Sequence, residues 1–378
     1  MRLLARAFDV TALCFFRRTD RPTPSHVEAS LAGLRPSGRV EAFPIPQEHS
    51  GARFAWDHLR SVARQRAYTV FGYESRPFRK RLLTLLATER FNLVHMDSLD
   101  LVGYLPLLAA RGLPVVCAHH NVESALLRRR AAAERTAWRR MYMTLQSRLY
   151  EGEERRICPK LALNVAVSDV DCEAFAQLAP GARFTVVPNG VDVESFRPVP
   201  GATGGAVFVG GATWFPNRDA LEFFSAEVLP RLRADGVNAP VRWVGRASEE
   251  DQRKYAALGI ELTGYVSDIR PYVAPASCFI VPLRVGGGTR LKVLDAWAMG
   301  KAVVSTSVGC EGLHAVDGSN ILIRDTAGGF ASAVRTVLED TDLRERLGRA
   351  ARETAEREYS WEVIGVPMVE RYLSIARG

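Results

Sequence analysis

Val281–Thr306 reads VPLRVGGGTRLKVLDAWAMGKAVVST, and it decides how the rest of the chain is read. A short apolar run ends at Pro282, and three glycines follow at Gly286, Gly287 and Gly288. Apolar residues then recur at helical spacing from Thr289 to Met299, Gly300 stops the pattern, and Ala302–Val304 resumes as a strand. Strand, glycine loop, helix and strand make a βαβ unit whose loop meets the helix where its first amides have no partner. Those amides and the helix dipole attract an anion, and glycines let a phosphate come close to the backbone. Arg290 and Lys292 add cationic donors, and Asp295 stands where it can accept hydrogen bonds from ribose hydroxyls. The stretch therefore predicts a site for a sugar-nucleotide diphosphate. Its bland alternative is a tight turn with surface basics and a solvated Lys292–Asp295 pair.

Working outward, apolar strand-like runs alternate with helical patterns along the whole chain, which predicts largely parallel, doubly wound α/β sheets. In the first half the expected strands are Val10–Phe16, Arg39–Ile45, Asn92–Met96, Pro114–Ala118, Leu161–Val167 and Phe184–Val187. Val122–Arg156 reads as helical with a break near Glu134, and Ser168 as the N-cap of the next helix. Phe196–Gly205 (FRPVPGATGG) lacks periodicity and reads as a linker. The expected division is thus a first domain over 1–197, a second over 198–358, and a C-terminal helix over 359–378 that packs back on the first. Ligands in such sheets sit beyond the carboxyl ends of strands. His119, His120, Gly210, Gly211, Arg246, Gly264 and the 286–292 loop all fall at such ends.

The 378 residues exceed the usual single-domain size, which supports two domains. Mean hydropathy is near zero, and no apolar run reaches the roughly 18 residues that span a bilayer. Met1–Val10 has a brief apolar patch broken by Arg6 and Asp9, which does not read as a signal peptide. Six cysteines without CxxC spacing read as thiols in a reducing compartment, so the expected location is the cytoplasm. The net charge is +8, with arginines concentrated at 76–81, 128–130, 139–140, 148 and 155–156. Such clusters suit a solvated surface or peripheral contact with an anionic membrane, and nucleic acid is not the expected partner.

VVPNGVD, FVGGATWFPNRDA, LTGYVSDI and PLRVGGGTRLKVLDAWAMGKAVV, with SWE near the C-terminus, resemble the retaining glycosyltransferases of family 4 along nearly the whole chain. The resemblance implies the GT-B fold, two Rossmann-like doubly wound domains facing across a cleft. It also implies transfer of a sugar from a nucleotide diphosphate sugar to a glycan or lipid-linked acceptor, with retention and without a metal or other cofactor. Gly210 and Gly211 match a loop that approaches the diphosphate, with Arg218 near a family lysine position. Gly264 and Tyr265 match the turn whose backbone reads the base. His120 matches a histidine that contacts the donor sugar. Gly286, Gly287, Gly288, Thr289 and Leu291 supply the loop and its first helical amides, Arg290 and Lys292 neutralise the phosphates, and Asp295 binds ribose. Gly287 departs from the family, which carries a sugar-facing glutamate there. Either another group holds the sugar, or backbone amides read it, or activity is lost. Met1 also falls at the end of the family's first helix, so the family's first strand and glycine-rich acceptor loop are expected to be missing from this sequence.

Departure of a nucleotide diphosphate leaves negative charge behind, and a helix N-terminus with Arg290 and Lys292 suits that charge. No carboxylate stands out as a nucleophile, so same-face transfer assisted by the leaving phosphate is expected. A sugar-nucleotide epimerase or hydrolase, working with no acceptor, is the competing enzyme; a binding subunit without turnover is the competing non-enzyme. A nicotinamide dehydrogenase is disfavoured because no GxGxxG follows a strand.

Overall fold

The computed structural model describes residues 3–17, 24–199, 204–286 and 290–377. The chain forms two compact units: residues 1–187 with 365–378, and residues 188–364.

The first unit carries β1 (Thr11–Phe16), β2 (Arg39–Pro44), β3 (Val94–Met96), β4 (Val115–His119), β5 (Leu163–Ala166) and β6 (Phe184–Val186). One continuous sheet was expected. The strands instead make two parallel sheets, β1–β2 and β3–β4–β5–β6, because among the described residues no strand joins β1 to β3. The helical region breaks at Glu134, separating Glu123–Ala133 from Ala137–Ile157, and Ser168 caps its helix by accepting from the Asp171 amide. Val116, Leu163 and Val165 bury one face of the four-stranded sheet against Tyr372, Met368 and Ile375 of the C-terminal helix Trp361–Arg377.

The second unit holds β7 (Ala206–Val209), β8 (Val241–Val244), β9 (Ile260–Leu262), β10 (Cys278–Val281), β11 (Val303–Ser305) and β12 (Leu322–Ile323) in one parallel sheet. The spatial order is β12–β11–β10–β7–β8–β9. Order reverses between β7 and β10, so the crevice at their carboxyl ends is the topological switch point where such sheets hold ligands. These two central strands are almost wholly apolar (AVFV and CFIV), as strands covered by helices on both faces require. Phe208, Trp243, Phe279, Ile280 and Trp297 are fully buried around them.

The boundaries differ from those expected. The division falls at Pro188 rather than residue 198, because the segment after it is bonded into the second unit. Val191 pairs with Ser360, and the Arg352 guanidinium donates to the carbonyls of Val193 and Phe196 (3.0 and 2.8 Å). Residues 200–203 of the expected linker lie outside the described residues. The return to the first unit begins at Gly365 rather than residue 359. Of the six cysteines, Cys117, Cys158, Cys278 and Cys310 are buried while Cys14 and Cys172 are half-buried, and none forms a disulfide. No helix among the described residues is long and apolar enough to cross a membrane.

Candidate active site

The switch point of the second unit gathers most of the expected donor residues. After β7 the backbone turns through Gly210 and Gly211, and after β8 through Gly245 and Arg246. The two turns lie back to back: the Gly210 amide donates to Val244, and the Ala212 amide to Arg246 (2.8 and 2.7 Å). Gly245 has φ +142°, and a Cβ there would sit 2.7 Å from the Gly211 nitrogen, so only glycine fits. Gly264 bridges to Gly245, and the Arg246 guanidinium lies 5.2 Å from the ring centre of the exposed Tyr265.

β10, paired with β7, ends at Val281, and residues 282–286 follow it. Gly287, Gly288 and Thr289 lie outside the described residues. Gly286 is buried under Arg290, whose guanidinium would lie 2.8 Å from any added Cβ. The helix then runs from Leu291 to Ala298, with Arg290 as N-cap residue and no side-chain cap, so its amino end keeps amide donors for an incoming group. Leu291 itself is exposed. Arg290 is fastened more firmly than expected: its Nε donates to the Val308 carbonyl (3.0 Å), and a terminal nitrogen lies 3.4 Å from Glu311. Its positive charge therefore stays in place at the start of the helix.

Lys292 joins the two halves of the switch point. Its ammonium donates to Asn217 Oδ1 at 2.9 Å and lies 4.0 Å from the Phe208 ring centre. Asn217 in turn donates to the Gly211 carbonyl at 3.0 Å. A buried amide thus ties the β7 turn to the helix after β10. Burial, aided by the nearby Arg290 charge, pushes the Lys292 ammonium down to about 7. Half-buried Asp295, one turn on, is pushed up to about 6 by burial. A cation and an anion are both held out of water here, a costly arrangement unless a ligand of matching charge arrives.

Arg218 does not join them. It pairs with Asp251 (2.8 Å), which Ser248 also bonds, and the two partners hold Asp251 down at about 2. The donor contact expected from its place near a family lysine position is instead a brace between two helices. Two residues the sequence reading passed over enter instead: Asn217 and Glu311.

In the first unit, the adjacent histidines after β4 have opposite characters. His119 is buried, bonded to Asn164 Oδ1 (2.9 Å) and packed on Phe175, and burial pushes it down to about 4. It is a neutral core group. His120 is exposed, with its Nε2 donating to the Asp97 carbonyl (3.0 Å) and lying 3.4 Å from the Asp97 carboxylate. That carboxylate raises the His120 imidazole against the opposing effect of burial. Asp97 also lies 3.6 Å from His95, whose Nδ1 bonds the Tyr372 hydroxyl at 2.8 Å. Against the effect of burial, the two histidines hold the Asp97 carboxyl well below the usual carboxylate range.

Comparison with known proteins agrees with this reading of the sheets. The model of the family described as Glycosyltransferase Family 4 matches residues 2–195, and that described as Glycosyl transferases group 1 matches residues 204–340. The chain is 26% identical over 295 residues to a phosphatidyl-myo-inositol mannosyltransferase of Mycolicibacterium smegmatis, covering 75% of this chain and 70% of that one. It is 26% identical over 238 residues to a glycogen synthase of Mycobacterium tuberculosis, covering 58% of this chain and 54%, about half, of the synthase. Anabaena HepE, solved in complex with UDP, shares the fold with a TM-score of 0.65 at 15% identity, over 96% of this chain and 100% of that one. A parallel sheet with a glycine-lined switch point, a first unit matching one family model and a second matching the other leave one assignment: the chain belongs to glycosyltransferase family 4, with a GT-B fold and a nucleotide sugar as the donor it uses.

Proposed function

We propose that the chain transfers a sugar from a UDP- or GDP-sugar to a glycan or lipid-linked acceptor, with retention and without a metal, in the synthesis of a cell-surface polysaccharide or glycolipid. The observation that carries the donor half is Lys292, a half-buried ammonium at the switch point, fixed on Asn217 beside the Arg290 charge and an uncapped helix start. A diphosphate is the ligand that suits such a set. In the proposed reaction the bond between the anomeric carbon and the phosphate oxygen breaks, and its electron pair stays on the phosphate. The acceptor hydroxyl attacks from the same face and passes its proton to that oxygen. Arg290 and Lys292 stabilise the charge left behind. The lipid-linked acceptor is supported by the mannosyltransferase relative, whose name gives a phosphoinositide as its substrate; with such an acceptor, the proposed site of reaction is the inner face of an anionic membrane.

Melting curves measured with a panel of nucleotide diphosphates and their sugars test the donor site directly. A rise in melting temperature with UDP or GDP and their sugars is expected; no rise with any of them overturns the reading. Asp295 sharpens the test. Its carboxyl group accepts hydrogen bonds from the ribose hydroxyls more strongly, and on both oxygens, when ionised, so donor affinity should fall as pH drops through about 6. Asp295→Asn should weaken donor binding about tenfold or more, the scale of a hydrogen bond to a charged group, and should remove that acid limb. Glu311 is proposed to take the sugar-facing role that the resemblance implies at Gly287, because it brings a carboxylate to Arg290 from the turn after β11. Glu311→Gln should then lower turnover with the nucleotide sugar while leaving UDP or GDP binding within about twofold. Equal loss of both would assign Glu311 to holding Arg290 alone.

A further inference from the structure

The helix Gly51–Arg64 is amphipathic, yet it is turned inside out. Its polar residues face the protein: Asp57 and Ser61 are fully buried. Arg53 pairs with Asp57 at 2.8 Å and donates to the carbonyls of Phe71 and Glu74. Arg60 pairs with Glu74, and Ser61 accepts from Gln146 while donating to the Arg66 carbonyl. Trp56, Leu59 and Val62, three residues apart, point to solvent, with Phe54 exposed near them. An ordinary surface helix buries such a stripe.

The neighbouring helix Ala137–Ile157 repeats the pattern. Gln146 bonds it to Ser61, and the rings of His58 and Tyr142 lie 5.5 Å apart. Its exposed face carries Trp138, Met141 and Leu145, again at helical spacing. Exposure runs from 36% at Leu145 to 72% at Met141, and the apolar side chains follow one another along each stripe rather than standing singly. Around these residues stand Arg64, Arg135, Arg139, Arg140 and Arg148, all exposed, and none forms an ion pair among the described residues. Arg128, Arg155 and Arg156, also basic in sequence, are instead neutralised by Glu151 and Glu153.

We propose that this two-helix face is the surface by which the protein lies on an anionic lipid bilayer. Tryptophan, leucine and methionine would enter the boundary between headgroups and acyl chains, with the arginines on the lipid phosphates. A second copy is a poorer occupant, since a twofold interface presses the same patch on itself and sets arginine against arginine. Single-stranded nucleic acid is poorer too: Trp56 and Trp138 offer rings to stack on, but the aliphatic Leu59, Val62, Met141 and Leu145 make up most of the stripes and give bases nothing. The inference locates the membrane contact of the proposed function and needs neither donor nor acceptor for its test.

The test floats the full chain with phosphatidylcholine vesicles, with and without phosphatidylglycerol. Binding is expected only with phosphatidylglycerol, and it should weaken as salt rises. Leu59→Glu with Met141→Glu should lower binding by about tenfold or more, and Arg139→Glu with Arg140→Glu by at least about fivefold per charge removed. Melting temperatures should stay within a degree or so, because every changed side chain is exposed. Failure of the parent to float, or equal binding by parent and variants, overturns the proposal. A parent that does not float but forms a dimer split by Leu59→Glu also overturns it, and gives the face to a second copy. Donor-induced melting shifts that survive in all variants keep this result separate from the transferase reading.

Discussion

Lys292→Met is expected to lower sugar transfer by about 10²-fold or more, the scale of losing one donor to a developing anion, while making the empty protein more stable. The same burial produces both effects. In the empty site the ammonium is partly withdrawn from water and faces the Arg290 charge, so its pKa falls to about 7 against 10.5 in an unfolded chain. Between those values the unfolded chain binds the proton more strongly than the folded one, so stability rises with pH across that window. The charged lysine is most destabilising below pH 7. The methionine variant should therefore gain most there, and its advantage should shrink as pH approaches 10.5. Losing the bond to Asn217 takes back about 1 kcal/mol, so the net gain is smaller than the pKa difference alone implies and should read as a rise of a few degrees in melting temperature. Calorimetry of UDP or GDP binding to the parent near pH 8, in buffers of different ionisation enthalpy, should show proton uptake, because a diphosphate restores the ammonium. A variant that keeps full turnover, or a parent that binds without taking up a proton, would remove Lys292 from the reaction.

What the sequence made legible follows from locality. The β10–loop–helix–β11 unit is written in adjacent residues: an apolar strand, glycines, a helical period, a stop. The break at Glu134 and the Ser168 cap are local for the same reason. Contacts across the switch point are not local. Lys292 meets Asn217, 75 residues earlier, only because β7 and β10 are neighbours, and strand order is absent from any single stretch. Arg218 looked like a donor ligand because it lies near a family lysine position, but Asp251, 33 residues on, claims it. The two histidines were closer to being readable. His119 is the last residue of β4 and turns into the core, and the next residue must point the other way. The helix Gly51–Arg64 shows the opposite limit. Its period is plain in the sequence, but the usual inference buries the apolar stripe, and only the paired Arg53–Asp57 and Arg60–Glu74 contacts show that the polar side turned inward.

His120→Ala is expected to lower turnover by about 10²-fold, and its pH dependence identifies the form of the imidazole that acts. Asp97 stands within 3.4 Å and raises the His120 pKa, favouring the imidazolium. The resemblance implies that a histidine at this position meets the donor sugar, and in the proposed reaction a cation suits the negative charge gained by the departing phosphate. Activity should then fall as pH rises through the raised His120 value. Asp97→Asn removes the charge that raises it, so this alkaline limb should move to lower pH, while a purely structural role for Asp97 would lower activity at every pH and leave the limb in place. His95 and Tyr372 hold Asp97 from the far side, and Tyr372→Phe, which removes only the hydroxyl bonded to His95, should shift the limb less than Asp97→Asn does. Protein stability gives an independent readout with a definite sign. A histidine whose pKa is higher folded than unfolded stabilises the fold fully below its unfolded value, and that contribution is lost as pH rises through the folded one. The stability difference between parent and Asp97→Asn should therefore shrink across the same interval in which activity falls. Were the alkaline limb unchanged in Asp97→Asn, His120 would act as the neutral imidazole, and the ion pair would serve only to aim it.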